Sequence, residues 1–238
     1  MSTIELNNLI IDERIEAGIA LLRQHFTVEE KKVDPALASP IIGGRPHHAR
    51  RFNVEGIGNL LVMTVKDVPE NQLSAFVITP YERDLPLFST DYVYSGERRF
   101  FLIELYDLAA THDSRYHHGI DVFAKLSTSW DDMPDFRTQS CWYDEIRAVC
   151  IAKTPTQDQD SLALQRFQEA LGCYIDMAQT LPTLTREQQR EKWRLNKGYS
   201  DRLIDEGGVS TDLFTQALGP ENTRRFFDEV FFASACYA

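Results

Sequence analysis

Residues 85–108, LPLFSTDYVYSGERRFFLIELYDL, decide the fold. Two runs of aliphatic and aromatic residues, 87–94 and 99–106, flank the turn residues Ser95-Gly96-Glu97. A connection this short joins antiparallel strands, because a parallel crossover needs a dozen or more residues. The first run carries a carboxylate, Asp91, between Thr90 and Tyr92, where the pattern asks for packing. A carboxyl group against an apolar wall has its charged form disfavoured, so its pKa rises toward the range useful for proton transfer. Phe88, Tyr92 and Tyr94 are the neighbours expected to form that wall. The competing reading is an edge-strand aspartate that points to water or caps a turn.

Outward from this hairpin, further β-like runs fall at 51–54, 59–65, 73–79 and 142–152, joined by turn-rich pieces such as Lys66-Asp67-Val68-Pro69-Glu70-Asn71. Before them, Ile11, Ile15, Ile19, Leu22 and Phe26 recur at three- and four-residue steps, which predicts a helix over 4–26 with one apolar face. After them, 157–181 reads as a helix, and Thr185-Arg186-Glu187-Gln188 fits a capping box opening the next. A final pair, 211–218 and 220–232, is divided by Gly219 as a helix stop and Pro220 as a first-turn residue. Helix, then strands, then helices predicts an α/β fold: a three-layer α/β/α sandwich with a central antiparallel sheet. No linker or low-complexity tract divides the 238 residues, so one domain over 1–238 is expected.

The net charge of −11 argues against nucleic-acid binding, which needs clustered Lys and Arg. No stretch of about 18 apolar residues and no signal-peptide pattern is present, so a cytoplasmic protein without a membrane partner is expected. Cys141, Cys150, Cys173 and Cys236 form no CxxC pair. His47-His48 and His112 with His117-His118 are read as surface or loop histidines; a metal site would need the two clusters to converge, and none is expected. GxGxxG, GxxxxGK[ST] and GxSxG are all missing. A redox enzyme built this way would take its electrons from outside the chain.

The 85–108 hairpin resembles the paired strands of the ferredoxin-dependent bilin reductases, the family of phycocyanobilin:ferredoxin oxidoreductase. The resemblance continues in CWYDEIRAVCIAKTP (141–155) and FTQALGPENTRRFFDEVFF (214–232), and order and spacing agree over roughly residues 50–232. It implies an open-chain tetrapyrrole such as biliverdin bound between the sheet and the C-terminal helices. It also implies single electrons delivered by reduced ferredoxin, no bound cofactor, and a carboxylate that protonates a bilin radical, as in phycobilin biosynthesis.

Asp91 matches the family's proton-donating aspartate, with Phe88 and Tyr92 beside it, and Asp205 or Glu206 falls where a second acid reaches the bilin. Lys153 matches a propionate anchor, and Arg99 or Arg51 would supply another. Ser74 stands in the region where some members carry a histidine, and Val62, Met63 and Thr64 where some carry a glutamate. These departures point to a two-electron reduction or another linear tetrapyrrole. Arg186, Arg190, Lys192, Arg194 and Lys197 would form the basic patch facing an acidic ferredoxin. Two alternatives remain: a related-fold enzyme acting on another metabolite, such as a red chlorophyll catabolite reductase, and a non-catalytic tetrapyrrole carrier.

Overall fold

The computed structural model describes residues 2–238. Helix α1 (Thr3–Arg23) is capped by Ser2, whose hydroxyl accepts from the Glu5 amide while the Glu5 carboxylate accepts from the Ser2 amide. The strands β1 (Val28–Lys31), β2 (Ile41–Ile42), β3 (Arg45–Pro46), β4 (His48–Val54), β5 (Gly58–Val65), β6 (Gln72–Pro80), β7 (Leu87–Ser95) and β8 (Arg98–Tyr106) follow. Helix α2 (Ser114–Ser129) and strand β9 (Arg147–Lys153) come next, then helices α3 (Asp160–Thr180), α4 (Arg186–Asp205) and α5 (Thr211–Phe226) and a π-turn at Phe227–Phe231.

Seven strands form one sheet in the order β1-β4-β5-β6-β7-β8-β9, and each neighbouring pair is antiparallel. On one face, Ile11, Ile15 and Ile19 of α1, Phe123 of α2 and Phe167 and Tyr174 of α3 pack with Phe76, Phe88 and Phe101 of the sheet. On the other, Tyr199 and Leu203 of α4 and Phe214 and Phe226 of α5 meet Leu61, Val77, Leu87 and Tyr106. This is the three-layer sandwich expected from the order of elements. Gly18 lets α1 approach closely: a Cβ there would lie 2.8 Å from ring carbons of both Phe76 and Phe167.

The Thr185 capping box is present, and Gly219 takes φ 77° at a kink ahead of Pro220. Helix α2 was not expected. Its signals are Asp113, which caps it by accepting from the Arg115 amide, and the apolar series Tyr116, Ile120, Phe123 and Leu126; three close histidines obscured that series. Strand β9 begins at Arg147 rather than 142, because Trp142–Glu145 folds as a 3-10 turn. Helix α1 ends at Arg23, and the last helix gives way to the π-turn after Phe226. No helix among the described residues is long and apolar enough to cross a membrane.

Strand β7 is covered on both faces, and its alternation decides what each residue sees. Phe88, Thr90, Tyr92 and Tyr94 are buried toward α1 and α3, while Ser89, Asp91 and Val93, half-buried, face the C-terminal helices.

Candidate functional site

A cavity of about 110 Å³ lies between the sheet and the C-terminal helices. Its floor comes from Val77 of β6, Ser89 and Asp91 of β7, and Glu104 and Tyr106 of β8. Its roof comes from Tyr199 and Leu203 of α4, Phe214 of α5 and Phe227, Phe231 and Phe232, with Gly208–Thr211 and Tyr143 at the rim. A second cavity of about 260 Å³ reaches toward Phe100, Phe136 and Arg147, and shares Asp91, Glu104, Tyr143, Val209 and Ser210 with the first. The two therefore form one cleft.

Asp91 is directly opposite Leu102 on β8 and Ala75 on β6. Glu104, two residues beyond Leu102, returns to the same face, so the two carboxylates are diagonal neighbours across the hairpin. Burial pushes Asp91 up to about 7; Glu104 adds to the rise, and Arg14 opposes it. Glu104 is 7% exposed and accepts a hydrogen bond from the Arg147 guanidinium at 2.8 Å, while the same guanidinium meets Asp144 at 2.8 Å. The phenols of Tyr106, Tyr143 and Tyr199 are held well above their ordinary range, chiefly by burial. They are neutral hydrogen-bond donors at any ordinary pH. The cleft thus offers a carboxyl group half protonated near neutrality, an ion pair, phenolic donors and broad aromatic walls suited to a flat conjugated ligand.

Behind the sheet, Arg14 of α1 donates to the Thr90 hydroxyl and lies 4.7 Å from the Phe167 ring centroid, 5.0 Å from that of Phe101 and 5.1 Å from that of Tyr92. Burial lowers its pKa to about 10, leaving it a cation. It is a buried positive charge on the far side of the strand that carries Asp91.

Of the residues read from the sequence, Asp91 alone lines the cleft. Phe88 and Tyr92 do not form its wall, since even-numbered side chains of β7 face away from it: Phe88 packs on Tyr174, and Tyr92 donates to Asp160 at 2.6 Å. Ser74 is buried on that same opposite face, and the position facing Asp91 from β6 is Ala75. Arg99 is also on the α1 and α3 side, where it binds Asp160 at 3.1 Å and Asn7 at 3.2 Å.

Lys153 pairs with Phe101, turns to the same side, donates to the Trp130 carbonyl at 2.6 Å and meets Asp135 at 2.7 Å. These five residues are therefore not placed to touch a ligand in this cleft. Asp205 and Glu206 lie outside it as well, paired with Arg224 and Arg202 at 2.9 Å and 2.8 Å. Arg51 is on the cleft-bearing face, but two strands from its nearest lining residue, bonded to Asn59 at 2.8 Å.

The expected basic patch on α4 is broken, because Lys192 is fully buried and donates to the carbonyls of Leu85 and Leu108. Arg186 and Arg190 are exposed, Arg194 pairs with Glu191, and Lys197 pairs with Asp201. The histidine clusters do not converge: His47 packs on Phe214, whereas His112 binds Asp107 at 3.0 Å and stacks on His117. Sequence reading missed Glu104 and Arg147. The signal for Glu104 was present: a two-residue turn at Gly96-Glu97 pairs Ser95 with Arg98, and that register alone carries Glu104 to the face of Asp91.

No protein-family model matches the chain, and no curated protein matches it in sequence. Its fold does match a solved one. A crystal structure of phytochromobilin synthase from tomato in complex with biliverdin superposes with a TM-score of 0.76 at 11% sequence identity. The match covers 95% of this chain and 84% of the tomato protein.

Proposed function

We propose that the chain is a bilin reductase-like oxidoreductase that binds a biliverdin-like open-chain tetrapyrrole in the cleft and reduces it with Asp91 as proton donor. The observation that carries this reading is the carboxyl of Asp91, poised near neutrality on the floor of an aromatic-roofed cleft, in a fold shared with a biliverdin-bound synthase. A conjugated tetrapyrrole that accepts one electron becomes a stronger base, and a neutral carboxyl group beside it is suited to protonate it. The electrons come from an external one-electron donor such as reduced ferredoxin. Each electron is followed by a proton from Asp91, which is recharged from water at the open end of the cleft. With Ala75 opposite, Asp91 has no proton-bearing partner on β6, which favours a two-electron reduction.

The test is spectroscopic. Protein is mixed with biliverdin, and the visible spectrum is recorded before and after reduced ferredoxin is added. A shift on mixing followed by loss of the bound-bilin band is expected. No shift on mixing removes biliverdin as the ligand, and a shift with no electron-dependent change replaces reduction with binding alone.

A further inference from the structure

We propose that Glu104, clamped by Arg147, is a positioning residue that keeps the cleft's transferable proton on Asp91. This inference rests on the reading of Asp91 as proton donor. Both carboxylates line both halves of the cleft and are diagonal neighbours on one face of the β7–β8 hairpin. Two carboxylates so placed, in a cleft walled by aromatic rings, do not both carry charge unless each has a cation.

Only one has. Glu104 is bound by Arg147 at 2.8 Å, with both side chains about nine-tenths covered, at 12% and 10% exposure. Asp91 has no hydrogen bond or ion pair among the described residues. Arg147 is not paired with Asp91; its guanidinium is divided between Glu104 and Asp144. From β6, Asp91 faces Ala75, which does not titrate. The tyrosines at 106, 143 and 199 are neutral phenols, and Cys150, opposite Glu104 on β9, is kept a thiol by burial. From α1, Arg14 pulls the other way, but it is committed to Thr90 and three aromatic rings on the far face of the sheet.

The charge therefore settles on Glu104 and the proton on Asp91. The raised pKa of Asp91, with Glu104 among its causes, agrees with this division. Sharing one face in this way makes a pair with two roles: Asp91 gives the proton, and Glu104 sets the pH at which it is held.

The test is a residue-resolved carbon NMR titration of the side-chain carboxyls in ligand-free protein, from about pH 4 to about pH 9. In the wild type, Asp91 is expected to ionise near neutrality and to be the last of the pair to lose its proton. Glu104→Gln should move the Asp91 midpoint down by about one pH unit or more. Arg147→Lys, which keeps the cation, should leave the order of the two groups unchanged. With a bilin substrate, the alkaline fall in turnover of Glu104→Gln should begin at correspondingly lower pH, which lost packing alone would not produce.

An Asp91 that ionises in the ordinary carboxylate range in the wild type overturns the proposal, as does a midpoint unmoved in folded Glu104→Gln. If that variant does not fold, the wild-type titration decides: a proton held by Glu104 in preference to Asp91 overturns it. The NMR arms contain no bilin, so a protein that passes them yet fails to reduce any bilin refutes the proposed function while the division of charge between Glu104 and Asp91 stands.

Discussion

Ala75 and Asp91 are directly paired across β6 and β7, so the side chain nearest the carboxyl from the preceding strand is a single methyl group. Together with burial and the nearby Glu104, this leaves the ionised form of Asp91 poorly supported, and its pKa is pushed up to about 7.

The sign of the linkage follows. The folded protein holds this proton up to about pH 7, whereas the unfolded chain releases it near the ordinary aspartate value, so stability falls as pH rises between the two. Each pH unit of difference is worth about 1.4 kcal/mol, reduced here by the partial exposure of the side chain to the cleft. Asp91→Asn should therefore raise the Tm at pH 8 and change it little near pH 4. The same variant should bind biliverdin but lose about 10²-fold or more in turnover. Full turnover by Asp91→Asn would remove Asp91 from the mechanism.

Wild-type turnover carries the same sign. An acid that must be protonated is lost as pH rises through its pKa, so a kcat profile should fall on the alkaline side of about pH 7. A rate that rises through that range would mean that Asp91 acts as a base.

Tyr92 neighbours Asp91 in sequence but faces the opposite layer, where its hydroxyl donates to the buried carboxylate of Asp160 at 2.6 Å. Tyr92→Phe removes that donor and should cost about 1–3 kcal/mol in denaturant unfolding. Bilin affinity and turnover should be unchanged below the new melting temperature. A loss of affinity without a loss of stability would return Tyr92 to the binding site.

Lys192 separates folding from docking on α4. Its ammonium is fully buried against the Leu85 and Leu108 carbonyls, with Asp84 at 3.7 Å, so Lys192→Met should lower stability by about 3 kcal/mol or more. Arg186 and Arg190 are exposed, and reversing their charge should leave stability within about 0.5 kcal/mol. If an acidic electron donor docks there, those two reversals should raise its KM. Unchanged KM values would exclude this end of α4 as the docking surface.

Gly18 sets how closely α1 lies on the sheet. An alanine would bring its Cβ to 2.8 Å from Phe76 and Phe167, so Gly18→Ala should destabilise by about 1–3 kcal/mol despite the better helix propensity of alanine. Equal or greater stability in a chemical unfolding curve would show that the two rings can move aside.

Much of this protein was legible in its residues, because the physics involved is local. Short turns such as Ser95-Gly96-Glu97 dictate antiparallel neighbours, the three- and four-residue steps of Ile11, Ile15 and Ile19 make a one-faced helix, and Thr185 with Gln188 caps α4. Asp91 stood out for the same reason, as a carboxylate where its own strand wanted packing.

What only the tertiary structure decided is which face of the sheet opens. Both faces of β7 are covered, so its alternation separates Asp91 from Phe88 and Tyr92 without saying which set lines a cavity. Helices brought from far along the chain close one side with Ile15, Phe167 and Tyr174 and leave the other as a cleft under Tyr199 and Phe214. The same long-range packing took Arg99 to Asp160, buried Lys192 and delivered Arg147 to Glu104. A charged side chain takes its role from the partner it is desolvated against, and that partner is chosen by the fold.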